Sequence, residues 1–284
     1  MTTTPKPKAR AAARRPPSAV RVMSVTSGKG GVGKTNVVAN LAIGLAGLGQ
    51  RVLIWDADLG LANIDVLLGL KPEYNIQHLL SGEKTLKEIL VEGPHGIKVM
   101  PASSGIQELA NLGESQKLGL LTELDEFDEA LDFLLIDTGA GISSNVMYFN
   151  LAAQDRIVVV TPEPTSITDA YALIKVMATK YQRKRFMILP NQVNGEGEAK
   201  AVFKLLASVA DKHLDSISMS YLGFIPRDER MIKAVRQQKA VLDAYPTAES
   251  SRSFVSLAKA ILRTPNGASL DGGVRFMWKR LLRI

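Results

Sequence analysis

A chain of 284 residues with 46% hydrophobic and 22% charged side chains has the size and balance of a globular protein, one large domain or two modest ones. It has no cysteine, which excludes disulfides and thiolate-held metal or iron–sulfur sites, and no apolar run of the roughly 18 residues a membrane-spanning helix needs. The net charge of +7 sits at the ends, with Lys6, Lys8, Arg10, Arg14, Arg15 and Arg21 in residues 5–21 and Arg275, Lys279, Arg280 and Arg283 in residues 274–284, neither stretch carrying an acid.

Residues 1–18 are rich in Pro, Ala and Arg and have no apolar period, so they read as a disordered basic tail. An organelle transit peptide is the competing reading; a secretory signal is not expected, because no hydrophobic region follows. Basic ends suit an anionic membrane or nucleic acid, or they are simply solvated.

Residues 19–263 alternate strand and helix. Strands are expected at 19–26, 51–56, 97–101, 132–137, 156–161, 185–190 and 218–226. Most are continuous apolar runs, the pattern of strands covered on both faces. Between the first two, Val37, Val38, Leu41, Leu45 and Leu48 recur at helical spacing over Lys34–Leu48. A last helix is expected at about 247–263. Strand-then-helix repetition predicts an α/β fold, a doubly wound and mostly parallel sheet with helices on both faces. Residues 264–273 read as a turn-rich linker, and 274–284 as a separate terminal segment.

The stretch Gly28, Lys29, Gly30, Gly31, Val32, Gly33, Lys34, Thr35 fits the phosphate-loop pattern and stands between a strand and a helix; Asn36, next in the chain, is counted with it among the nucleotide-binding residues. Glycines let backbone N–H groups curl around phosphate oxygens, and the helix N-terminus adds favourable charge. Lys34 is expected to reach the β- and γ-phosphates, and the Thr35 hydroxyl to bind Mg2+. "DTGAG" places Asp137 at a strand end as a second Mg2+ holder, with a nucleotide-sensing loop at Gly139 and Gly141. "DADLG" places Asp56 and Asp58 beside the same site, one carboxylate to support the metal and one to position attacking water. Asp56 is assigned to the metal and Asp58 to catalysis. Capping or turn roles are the alternatives for both.

"KGGVGKT", with its early lysine, resembles the deviant phosphate loop of the MinD/ParA ATPases, and the resemblance runs over roughly residues 20–263. It implies binding of ATP/ADP with Mg2+. It also implies that Lys29 reaches across a dimer interface to the partner's nucleotide, two ATP molecules being held between two subunits. The alternative for Lys29 is a solvated loop lysine. The resemblance further suggests Asn191 as an adenine contact, with Pro226, Arg227 and Asp228 around the base; ordinary turn chemistry is the alternative for each.

"DADLGLANIDVLLGL", "GIKVMPASSGIQELANL" and "LLIDTGAGISSNVMYFNLAAQDRIVVVTPEPTSITDAYALIK" are similar to the flagellar number regulators, the FlhG/FleN type. That branch implies an ATPase, slow and stimulated by partners or membrane, that sets flagellum number and placement from the cytoplasm and the inner face of the cell membrane. Its implied partners are a flagellar assembly GTPase, switch-complex proteins or a transcription activator. The short N-terminal element that stimulates the GTPase in many of these proteins is absent from residues 1–20.

The terminal segment forms an amphipathic helix when drawn at about 100° per residue. Val274, Met277, Trp278, Leu281, Leu282 and Ile284 fall within an arc of about 160°, with Arg275, Lys279, Arg280 and Arg283 opposite and Phe276 among the basic residues. Four cations at ~1 kcal/mol each make one copy a weak anchor on an anionic membrane, and two copies on a dimer a firmer one. Docking on the protein's own groove is the alternative. Two other functions stay open: a MinD-like division-site or ParA-like partition ATPase, DNA ranking behind membrane as the anionic partner, and a nucleotide-locked transcription antagonist or scaffold with little turnover.

Overall fold

A computed structural model describes residues 20–58, 62–102 and 131–264 and isolated positions between 113 and 130. The tail 1–18, most of the linker, and the terminal-helix residues Val274, Arg275, Met277, Trp278, Lys279, Arg280, Leu281, Leu282 and Arg283 lie outside the described residues.

The apolar runs form strands β1 (Arg21–Ser27), β2 (Val52–Ala57), β3 (Val91–Glu92), β4 (Lys98–Met100), β5 (Phe133–Ala140), β6 (Asp155–Val160), β7 (Arg185–Val193), β8 (Ser218–Tyr221) and β9 (Ile225–Pro226). They make a sheet in the order β3-β4-β2-β5-β1-β6-β7-β8, with β9 beside β7. Every described pairing is parallel except β3 with β4.

The longer helices are α1 (Lys34–Ala46), α5 (Ser144–Ala152), α6 (Pro164–Tyr181), α7 (Glu196–His213), α8 (Glu229–Arg236) and α10 (Glu249–Arg263). Short helices α2 (Ile64–Leu67), α3 (Ile76–Leu80), α4 (Leu86–Ile89) and α9 (Val241–Ala244) fill the connections. Side chains alternate across each strand, which explains the unbroken apolar runs. Met23 and Val25 of β1, Ile54 of β2 and Leu135 of β5 enter the core under α1 and α10. Val22, Leu53, Trp55 and Ile136 enter the core under α3, α4 and α5. A third cluster joins β6 and β7 to α6 and α7.

The doubly wound expectation therefore holds, with two local differences. The run at 218–226 is two strands, because Gly223 at φ +134° turns the chain against Leu257. Arg21, counted by sequence among the basic residues of 5–21, is a buried clamp. Its Nε lies 2.6 Å from Asp155 Oδ2, and its Nη1 donates to the carbonyls of Ile261 and Thr264. It ties the start of β1 to the end of α10 and so contributes little to an anionic-partner surface.

Candidate functional site

β1 stands between β5 and β6, where the chain winds first one way and then the other; the crevice above such a reversal is the expected ligand position. The phosphate loop fills the gap from β1 to α1. Gly33, at φ +91°, caps α1 with a left-handed backbone and leaves the helix's first N–H groups facing the crevice. Gly28 is required for another reason: a Cβ there would lie 2.0 Å from the Asp169 carbonyl oxygen of α6. The loop thus rests on α6. Its far side is held by buried Asn191, whose Nδ2 donates to the Val32 carbonyl at 2.7 Å while its Oδ1 accepts from the Gln192 N–H at 2.9 Å.

A cleft of about 730 Å³ opens over Gly30, Gly31, Gly33, Lys34, Thr35 and Asn36. Ala57, Asp58 and Asn63 form one wall, and Gly139, Ala140, Ser143, Asn145 and Val146 the other. Lys34 is buried, which pulls its pKa below the ordinary lysine range against the attraction of Asp137 and Asp58. Asp56 and Asp137 are register partners on adjacent strands and both are buried. Burial raises both carboxyls above their ordinary range. Asp56 adds to the rise at Asp137, while the Thr35 hydroxyl and Lys34 oppose it.

The two carboxylates are engaged differently. Asp56 accepts from the backbone N–H groups of Asp58, Asn63 and Ile64, at 3.2, 3.0 and 3.1 Å. It shapes the loop leading into α2. Asp137 bonds the Thr35 hydroxyl, and its Oδ1 is buried with no hydrogen-bond partner. A hydroxyl and an unpartnered carboxylate oxygen beside a phosphate loop form a hard-oxygen donor set that suits Mg2+.

Lys29 lies elsewhere. Its Nζ is 2.6 Å from Glu163 Oε2 and 2.9 Å from Thr165 Oγ1, at the start of α6 and outside its own cleft lining. Of the residues expected around the base, Asn191 braces the loop and Pro226 is buried in β9. Arg227 is exposed. Asp228 caps α8 by accepting from the Arg230 N–H at 2.8 Å, and also accepts from the Ser250 hydroxyl at 2.7 Å. Burial alone would raise its carboxyl, but these donors hold it below the ordinary range. None of these four lines the cleft.

Sequence reasoning did not single out Asn63, Ser143, Asn145, Glu163 or Thr165. The one available signal for the last two was "TPEPTS", an acid at a strand end just before a helix that starts with proline.

Comparison with known proteins agrees with this geometry. The ParA family model, described as NUBPL iron-transfer P-loop NTPase, matches residues 18–262. The chain is 44% identical to the antiactivator FleN of Pseudomonas aeruginosa over 264 residues, 93% of this chain and 94% of that one. The chain belongs to the MinD/ParA family of P-loop NTPases, in the branch that holds the flagellar regulators. It is also 34% identical to the flagellum site-determining protein YlxH of Helicobacter pylori, over 93% of this chain and 90% of that one. Its fold matches the septum site-determining protein MinD of Pyrococcus horikoshii, solved with Mg-ADP, at 23% identity and a TM-score of 0.68, covering 86% of this chain and 96% of that one. As a MinD/ParA protein the chain departs from the iron-transfer description of its family model, since it has no cysteine to ligate a cluster.

Proposed function

We propose that this protein is an ATP-dependent switch that dimerises around two nucleotides and regulates flagellum number and placement. The observation that carries the dimer is Lys29. Among the described residues that line the cleft the one lysine is Lys34, whereas Lys29 is turned to Glu163 and Thr165 outside that lining. A second copy would supply a second cation in trans, neutralising charge on the transferring phosphoryl group. Ile142 is 52% exposed on the loop beside the cleft and would join the same contact.

In the reaction, water attacks the γ-phosphorus and the bond to the bridging oxygen breaks, giving ADP and phosphate. The loop N–H groups and Lys34 hold the phosphates, and Asp58 orients the water. Thr35 and Asp137 would hold Mg2+, which neutralises phosphate charge when bound. Asp56 keeps Asp58 in place through the backbone bond at 3.2 Å. The flagellar role rests on the likeness to the antiactivator FleN and the flagellum site-determining protein YlxH. A flagellar assembly GTPase, a switch-complex protein or a transcription activator is the kind of partner such a role would take. Residues 274–284 would bring the dimer to the inner face of the cell membrane. No described helix is long and apolar enough to cross a membrane.

The test is ATP turnover per molecule against protein concentration. It should rise with concentration in the wild type and stay flat in Lys29→Ala, with ATP affinity kept. Equal turnover in the two proteins at every concentration would refute the trans role.

A further inference from the structure

Away from the cleft, the described surface has a patch that none of the chemistry above uses. α8 is anchored by little: Ala234 is its buried residue, and Met231 packs partly against the core. Its remaining surface carries Ile232 at 55% exposure and, one helical turn on, Val235 at 37%. The patch continues onto α2. The Val235 carbonyl accepts from the Gln238 N–H, and the Gln238 side chain donates to the Val66 carbonyl at 3.1 Å. Val66 is itself 54% exposed. Single exposed aliphatics are common on protein surfaces, but here three stand on two elements that Gln238 ties together.

Cations border these side chains. Arg227, Arg230, Lys233, Arg236 and Lys239 are all exposed, against Asp228 and Glu229 as the acids of the same segment, five positive and two negative charges. Asp228 is already held by Ser250 and the α8 backbone. Arg227, Lys233, Arg236 and Lys239 have no ion-pair partner among the described residues. Apolar centre and basic border are the complement of an acidic segment with its own apolar stripe.

We infer that the α2–α8 surface docks an acidic, amphipathic segment of a protein partner. Nucleic acid fits less well, because a phosphate backbone rewards the cations but not the exposed aliphatics. A membrane also fits less well. The patch lacks the aromatic groups that favour the interface. It also lies by the N-terminal end of α10, where Asp228 meets Ser250, whereas the chain leaves toward its terminal segment from the other end, by Arg21.

Selection of random peptides displayed against the full chain tests this without a known partner. Two variants serve as controls, K233E/R236E and I232S/V235S, neither altering a residue placed at the nucleotide. Enriched peptides should carry net negative charge with apolar residues at helical spacing. The best of them, measured by fluorescence anisotropy, should lose at least tenfold in affinity for each variant while ATP affinity stays unchanged. Enrichment without acidic bias, or peptides that bind both variants as tightly as wild type, would overturn the assignment. So would a face, lost in the same variants, that takes duplex DNA or phosphatidylglycerol vesicles in preference to any selected peptide.

Discussion

At the scale of single residues, the site joins two buried carboxylates on adjacent strands. Asp56 and Asp137 are both raised by burial, so the folded protein holds a proton that the unfolded chain would release. Folded pKa values above the unfolded ones mean that stability without metal falls as pH rises from about 4 through neutrality. Asp137→Asn removes much of that loss. In EDTA without nucleotide its midpoint temperature should exceed the wild type's by several degrees at pH 8 and by little at pH 5, at roughly 2–4 °C per kcal/mol. Equal midpoints at pH 8 would contradict the buried-pair account. Lys29 supplies a second case. Its contact with Glu163 is exposed and worth about 0–1 kcal/mol. Two such contacts are released per dimer, so Glu163→Gln should lower the protein concentration needed for ATP-dependent dimerisation, by up to about thirtyfold, an effect that fades with salt. A higher requirement would mean that Glu163 acts within the dimer instead. The phosphate-loop residues and Asp137 were legible because motif, strand end and helix start coincide. Glu163 and Thr165 were not, because contacts over 130 residues of sequence leave no local pattern.

At the scale of elements, the phosphate loop is held between α6 and β7. Gly28 lets it sit against the α6 backbone, and Asn191 anchors it from the other side. Asn191→Ala removes the bond to the Val32 carbonyl, so ATP affinity should fall by roughly 1 kcal/mol, about fivefold. Calorimetric titration with a non-hydrolysable analogue checks this; unchanged affinity would return Asn191 to a purely local turn. The principal parallel strands were readable because burial on both faces leaves continuous apolar runs, as in "FLLI" of β5. The two-residue β3 and the short helices α2, α3, α4 and α9 were not, since two to five residues give no period to detect. Arg21 shows the same limit: charge counting grouped it with the basic N-terminal residues, while packing makes it a clamp from β1 to the end of α10.

At the scale of the whole molecule, the proposed switch couples nucleotide, dimer and surface. On the proposed reading, two weak terminal anchors would become effective only when held together, because the second insertion would be intramolecular. Deleting residues 274–284 should abolish co-pelleting with anionic vesicles in ATP and leave ATP binding intact; continued pelleting would put the membrane contact elsewhere. The most direct measurement of the central claim is sedimentation velocity of Asp58→Ala and of Asp58→Ala/Lys29→Ala with ATP and Mg2+. The account predicts a stable dimer for the first and a monomer that still binds ATP for the second. Monomer in both, or dimer in both, would contradict it.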